Sequence, residues 1–380
     1  MKKIFIYSAN YLPNIGGVEK YTANLAQELT KMGNSVTIVT NNVFGMKAKE
    51  KLENGATIYR LPCFPLIHGR LPIPKPNPLY KSLRSSIFNE SADLVVVNTR
   101  FYPHTFLGIR HAKKAGVKPI VIDHGSAYLT LGNSAIDRIM QLYEHMMTFF
   151  LKKNDIDFYG VSKASTEWLK TFGVEAKGVL NNSIDADSYL NSASSRNFRH
   201  EIGSNYFLVS FTGRLIPEKG VKQLVEAARM LSEKHEIQFC LAGDGPLRDE
   251  LESINPGNIH FLGRLDSHDI AALLRDSDVF CLPTRSEGFS TSLLESAACY
   301  TTPVITNVGG VPEMIPTDDF GVILNTQSPK EIVDAISFLK ENPTKNSTMA
   351  DNIGRRVRTN FSWEKTAQLV LEAGNRAQSI

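Results

Sequence analysis

In the second half of the chain, Arg214 and Lys219 fall in the stretch Gly213-Arg214-Leu215-Ile216-Pro217-Glu218-Lys219-Gly220, directly after the apolar run 207–212. A planar guanidinium with an ammonium nearby, both beyond the end of a buried strand, suits a diphosphate, above all one that gains charge as it leaves. Further on, Glu287 and Glu295 bracket the string Glu287-Gly288-Phe289-Ser290-Thr291-Ser292-Leu293-Leu294-Glu295, which follows the apolar run 279–283. Gly288, Phe289 and Ser290 read as a loop whose amides lead into a helix capped by Ser290 or Thr291, and unsatisfied amides at a helix start form an anion site. Glu287 then lies ahead of the helix, at the phosphate and sugar end. Glu295 lies inside it, where a carboxylate can accept two hydrogen bonds from a ribose diol.

Three further segments end strand-like runs. Ala242-Gly243-Asp244-Gly245-Pro246 is a tight turn opening a helix; it lacks the dinucleotide spacing G-x-G-x-x-G, and Gly243 is assigned to packing beside a nucleotide. In Asn14-Ile15-Gly16-Gly17-Val18-Glu19, the pair Gly16 and Gly17 lets backbone approach a ligand at a helix start. His124, in Ile122-Asp123-His124-Gly125-Ser126, stands at a strand end beside a glycine. Taken singly, the cations also fit solvated surface, the glycine pair an ordinary turn, and the histidine a structural role. The acidic pairs Asp155/Asp157, Asp185/Asp187 and Asp276/Asp278 read as helix caps and surface charge, so no metal is expected.

Strand-like runs alternate with helical patterns along the whole chain, which implies parallel sheets covered on both faces. At 380 residues, 42% hydrophobic and 21% charged, the chain is globular and too long for one comfortable core. The fold class is therefore α/β, with two Rossmann-like doubly wound domains facing across a cleft. Residues 1–185 form the first, 186–203 a polar linker, 204–360 the second and 361–380 a closing helix. The expected strands of the first domain include 178–180, and ligands belong at the carboxyl ends of strands. The proline-rich segment 70–78 reads as a stiff loop. The apolar helix 136–150 is expected to pack into the core.

No run approaches the ~20 apolar residues that span a bilayer. The opening MKKIFIYSANYLP reads as a buried strand, not an export signal. Cys63, Cys240, Cys281 and Cys299 lack redox or metal spacing and read as reduced, structural residues of a cytoplasmic protein. Residues 1–185 carry 23 Lys and Arg against 14 Asp and Glu, whereas the remainder carries 19 against 25. The basic half can face something anionic. Nucleic acid is excluded as that partner, because no aromatic-interleaved basic motif occurs.

The strings YLPNIGGVEKYTANLAQEL, GRLIPEKG, LAGDGPLRDEL, LPTRSEGFSTSLLESAAC and FSWEKTA, in this order and spacing, resemble glycosyltransferase family 4, of GT-B fold. Departures are Asn182-Ser183-Ile184-Asp185, where the family often has Asn-Gly-Ile-Asp, and Gly33-Asn34, where it often has Gly-His. The resemblance implies retaining transfer of a hexose or N-acetylhexosamine from a UDP-, GDP- or ADP-sugar, without metal or other cofactor, to a glycan or lipid-linked acceptor. Carried over by position, Arg214 and Lys219 bind the diphosphate, Glu287 contacts the donor sugar, and the amides of Phe289 and Ser290 hold phosphate or sugar oxygens. Glu295 binds ribose, and the backbone near Arg264 takes the base. Gly16 and Gly17 approach the diphosphate and His124 the sugar, and residues from Trp363 onward pack on the first domain. Bacterial cell-surface polysaccharide or glycoconjugate synthesis is the expected setting, peripheral to the inner face of the membrane. The basic first domain, with Arg110, Lys113, Lys114, Lys118 and the loop 70–81, suits an anionic membrane. A nucleotide-sugar epimerase and a non-catalytic nucleotide-sugar binding protein are the competing readings.

Overall fold

A computed structural model describes residues 1–14, 16–67, 69–128 and 134–378. The chain divides into two compact units, Met1–Asn182 with Trp363–Ile380, and Ser183–Ser362. In the first, the strands are β1 (Lys3–Ser8), β2 (Ser35–Asn41), β3 (Lys49–Lys51), β4 (Thr57–Leu61), β5 (Cys63–Leu66), β6 (Leu71–Pro74), β7 (Leu94–Asn98), β8 (Ile120–Asp123) and β9 (Asp157–Gly160). The main sheet has the order β3-β4-β2-β1-β7-β8-β9 and is parallel except for the short edge strand β3. Burial on both faces explains why β7 is an unbroken apolar run.

Several expectations are corrected here. Residues 178–180 make only a bridge between Val179 and Gly160, not a strand. The inner strand β4 is hidden in the sequence by Arg60, which is buried and pairs with Glu50 at 2.8 Å. Part of the proline-rich segment forms β6, but in a separate hairpin with β5, where prolines cost no hydrogen bond of the main sheet. Helix Ser134–Leu151 turns Met140, Glu144, Thr148 and Leu151 inward and leaves Ile139, Leu142, Met146, Phe149 and Phe150 exposed. Its apolar stripe is therefore not core, because the buried Arg100 holds Glu144 at 2.8 Å and so fixes which side faces in. Helix Trp363–Gln378 packs on helix Gly17–Lys31, with the Trp363 ring edge-on to Tyr21 at 5.3 Å.

The second unit holds β10 (Phe207–Thr212), β11 (Ile237–Ala242), β12 (Ile259–Gly263), β13 (Val279–Leu282), β14 (Thr302–Thr306) and β15 (Val322–Leu324), all parallel in the order β12-β11-β10-β13-β14-β15. Leaving aside β3, both main sheets run 3-2-1-4-5-6 in their own strand numbering, and the order reverses between β1 and β7 and between β10 and β13. Residues 186–203 are not a free linker. They fold as helices Ala186–Asn191 and Phe198–Ile202 within the second unit, because Phe198 is fully buried in its core and Arg196 and Arg199 pair with Asp269 and Asp278.

The acidic pairs all have structural partners. Asp155 and Asp157 hold Lys118 at 2.9 and 3.0 Å, and Asp185 caps helix Ala186–Asn191. Asp187 pairs with Arg358, Asp276 accepts from the Phe198 amide and Asp278 from that of Leu208. Among the described residues, no group of His, Cys, Asp and Glu is arranged to hold a metal ion.

Candidate active site

The order of the second sheet sets the loop after β10 beside the loop after β13. The Arg285 amide donates to the Glu218 carbonyl at 2.8 Å, and the Thr284 hydroxyl donates to the same oxygen at 3.1 Å. The loop after β11 is tied in by the Leu215 amide, which donates to Asp244 O at 3.0 Å. Gly243 lies so close to the loop after β10 that a Cβ there would sit 1.8 Å from the Gly213 carbonyl oxygen.

On this base the Lys219 ammonium contacts the Glu287 carboxylate directly, both side chains being mostly buried. Arg214, five residues before Lys219, is exposed, and no described acidic side chain pairs with it. Ser290 caps helix Thr291–Ala298, its Oγ accepting from the Leu293 amide at 3.3 Å. The Ser292 hydroxyl ties the helix start to the end of β10 by donating to Thr212 O at 3.3 Å. The amides of Phe289 and Ser290 donate to no acceptor among the described residues, while the Phe289 side chain is buried against Phe361 at 5.5 Å. Glu295 is half-buried one helical turn further on. Arg264 follows β12 and is largely exposed, its guanidinium 3.6 Å from Asp244. The sequence-predicted residues of this half thus share one edge of the sheet, around the point where the strand order reverses. Such an edge presents cations, free amides and carboxylates to an anionic ligand with sugar hydroxyls.

Gly309 and Gly310 belong to the same edge and escaped the sequence reading. Gly309 has φ of +52°, and a Cβ there would lie 2.1 Å from the Glu287 carbonyl oxygen. A Cβ on Gly310 would lie 2.3 Å from the Phe289 ring. A glycine pair between strand and helix was the available signal.

In the first unit, Gly16 precedes helix Gly17–Lys31 in an extended conformation and caps it. A Cβ on Gly16 would strike the Glu19 carboxylate at 2.3 Å, whereas Gly17 faces open space. Glu19, also missed from the sequence, is buried, accepts from Asn14 Nδ2 at 2.6 Å, and has its carboxyl pushed up by burial. His124, at the end of β8, sits edge-on to Tyr21 at 4.7 Å, and burial pushes its imidazole down to about 3. The ring is therefore neutral at physiological pH.

The tautomer of His124 follows from its neighbours. The Thr22 hydroxyl donates to Val18 O at 2.8 Å, so its oxygen accepts from Asn98 Nδ2 at 2.7 Å. That fixes the Asn98 amide with Oδ1 towards His124 Nε2 at 3.1 Å, so Nε2 carries the proton and Nδ1 is left as an acceptor. Beside it, burial pushes the Asp123 carboxyl up to about 6, opposed by Arg100 at 3.6 Å. Arg110, Lys113 and Lys114 lie on helix Pro103–Ala115, whereas Lys118 is occupied by its two aspartates.

Residues 15–188 match the family described as Glycosyltransferase Family 4, and residues 194–357 match Glycosyl transferases group 1. The chain belongs to glycosyltransferase family 4. This family 4 glycosyltransferase is 25% identical to an uncharacterized glycosyltransferase of Methanocaldococcus jannaschii over 96% of each chain. It is 22% identical to the GPI3 component of the phosphatidylinositol N-acetylglucosaminyltransferase of Saccharomyces cerevisiae, over 95% of this chain and 80% of that one. Its structure resembles HepE of Anabaena in complex with UDP, with a TM-score of 0.75 at 18% identity, covering 99% of this chain and 100% of that chain. Two Rossmann-like α/β units in one chain are the GT-B fold. Among the described residues of the glycosyltransferase, no helix is long and apolar enough to cross a membrane.

Proposed function

We propose that this glycosyltransferase moves a hexose or N-acetylhexosamine from a nucleoside-diphosphate sugar, with retention of anomeric configuration, onto a lipid-linked or glycan acceptor. The observation that carries the proposal is the Lys219–Glu287 contact beside the uncommitted amides of Phe289 and Ser290. Arg214, Lys219 and those amides are assigned to the diphosphate, Glu287 to the sugar, Glu295 to the ribose, and Gly243 and the backbone at Arg264 to the nucleoside. Gly16, Gly17 and His124 of the first unit are assigned to the phosphate and sugar side, with the acceptor bound by that unit.

The leaving diphosphate gains negative charge as the C1–O bond breaks. Cations and free amides already in place stabilise that charge more than the ground state, which is the condition for rate enhancement. No metal is assigned, because these groups supply the neutralisation. In same-face attack, the acceptor oxygen bonds to C1 as the phosphate oxygen leaves, and the acceptor proton passes to that phosphate oxygen. HepE was crystallised with UDP-glucose, and the yeast relative is named for N-acetylglucosaminyl transfer to phosphatidylinositol. The first supports a UDP-sugar donor and the second an N-acetylhexosamine and a lipid acceptor; we assign the reaction to the cytoplasmic face of a membrane in cell-surface glycoconjugate synthesis.

The test is a panel of UDP-, GDP- and ADP-sugars with and without phospholipid and polyprenyl-phosphate acceptors. Nucleoside diphosphate release is measured, together with the product's anomeric configuration by NMR, in the presence of EDTA. Release with an α-linked product from an α-donor is expected. An inverted product would overturn retention, EDTA sensitivity the absence of a metal, and a change in the sugar without transfer would make the protein an epimerase.

A further inference from the structure

We infer that the outer face of helix Ser134–Leu151 docks on an anionic lipid bilayer; this rests on the lipid-acceptor reading above and names the surface that meets the lipid. Ile139, Leu142, Met146, Phe149 and Phe150 are between 49% and 72% exposed. Their spacing lays them along one stripe of the helix, opposite the buried Met140, Glu144, Thr148 and Leu151. Scattered exposed apolar residues need no explanation, but a continuous stripe marks an interaction surface.

The outward orientation is fixed from inside. Arg100 and Glu144, 2.8 Å apart, are both almost fully buried, and the Arg100 guanidinium lies 3.8 Å from the Phe172 ring centroid. Turning the stripe inward would strip a desolvated guanidinium of its Glu144 carboxylate, a cost of about 3–5 kcal/mol. Arg100 also lies 3.6 Å from Asp123, the residue before His124. The helix that meets the lipid is thereby tied to the strand end that carries the imidazole.

Charge selects the occupant. Arg138 and Lys153 are exposed at the flank and end of the stripe, while the Lys152 ammonium donates to the Phe172 and Gly173 carbonyls at 2.9 and 3.0 Å and the acidic residues of the segment 134–154 are the buried Glu144 and the half-buried Asp137. The Lys153 ammonium lies 4.6 and 5.3 Å from the Phe149 and Phe150 ring centroids, the disposition of a lysine whose stem lies along apolar rings and whose charge reaches the headgroups. An apolar stripe bordered by cations fits the boundary between acyl chains and anionic headgroups, with the helix lying in the plane of the surface. A second copy of the same face would instead bring cations against cations.

The experiment is flotation of the full chain at low salt with vesicles of phosphatidylcholine alone and with phosphatidylcholine containing one-third phosphatidylglycerol. Binding to the anionic vesicles is expected. The variant Leu142→Glu/Phe149→Glu/Phe150→Glu should bind at least about tenfold more weakly, and Arg138→Gln/Lys153→Gln should lose much of the salt-sensitive part. All these side chains are exposed, so the melting temperature should hold, and the thermal shift with UDP reads the donor site separately from the docking face. Wild-type protein that ignores anionic vesicles, or a triple-Glu variant that floats as wild type does, would overturn the inference. So would a dimer that the triple variant dissociates without any effect of lipid, which would assign the face to a second copy of the chain.

Discussion

Asn98 Oδ1 accepts a hydrogen bond from His124 Nε2 at 3.1 Å, and this contact decides which nitrogen of the imidazole is free. The Asn98 amide is itself oriented by Thr22 and Val18, so the proton on Nε2 is specified by a chain of three hydrogen bonds running back into helix Gly17–Lys31. Replacing Asn98 by Leu removes the acceptor and frees the tautomer. The loss of about 1–3 kcal/mol for an abandoned buried polar group corresponds to a roughly 10–100-fold lower kcat, with KM for the donor little changed. Asn98→Asp keeps an acceptor but adds a negative charge that favours the imidazolium, so a new acid limb should appear in the pH–rate profile. A profile for Asn98→Asp identical to wild type would contradict the tautomer assignment.

Lys219 and Glu287 act as a pair across two loops. Lys219→Ala and Glu287→Ala should each lower kcat by about a hundred- to a thousandfold, the scale of removing a preorganised charge stabiliser. The double variant should lose little more, because groups that act as a unit are not additive. Circular dichroism should show the fold intact. Near-normal turnover in either single variant would remove the pair from the chemistry.

Gly309 is held at a φ of +52° against the Glu287 carbonyl oxygen. Gly309→Ala should destabilise the second unit by about 1–3 kcal/mol, from backbone strain plus displacement of the loop that carries Glu287. Chemical denaturation gives the stability and nucleotide titration the expected loss of affinity. Unchanged values in both would show that the loop adapts freely.

Two imidazoles, the buried His104 and the half-buried His124, make the first unit sensitive to acid. His104 titrates at about 4 and His124 at about 3 in the folded chain, both lowered by burial. The unfolded chain binds their protons first, near pH 6.5, so stability falls as the pH drops from about 6.5 towards 3, by up to ~1.4 kcal/mol per pH unit per group. Asp123 works in the opposite sense. Its carboxyl, pushed up to about 6, takes its proton first in the folded chain, so its contribution is full below the ordinary carboxylate range and is lost as the pH rises through 6. Melting curves from pH 7 to pH 4 should show a net loss that is shallower in His104→Gln. An equal slope in that variant would rule out the imidazole as the source.

The sequence by itself determined the parallel α/β architecture, because a strand buried on both faces must be an apolar run and a crossover helix must fill the interval. It also placed Arg214, Lys219, Gly243, Glu287 and Ser290 at strand ends, since glycines and charged residues directly after such runs can only be in the loops there. Tertiary structure alone decided which loops are neighbours. The reversal of strand order between β10 and β13 brings Lys219 to Glu287 from 68 residues away, and no local pattern encodes strand order. It also decided the roles of residues whose type misleads. Arg60 is an inner-strand residue because Glu50 neutralises it, and 186–203 is packed structure because Phe198 anchors it. Helix Ser134–Leu151 shows its apolar side to solvent because a single buried guanidinium claims Glu144. Periodicity finds the two faces of a helix, but only the partners it meets in space determine which face turns inward.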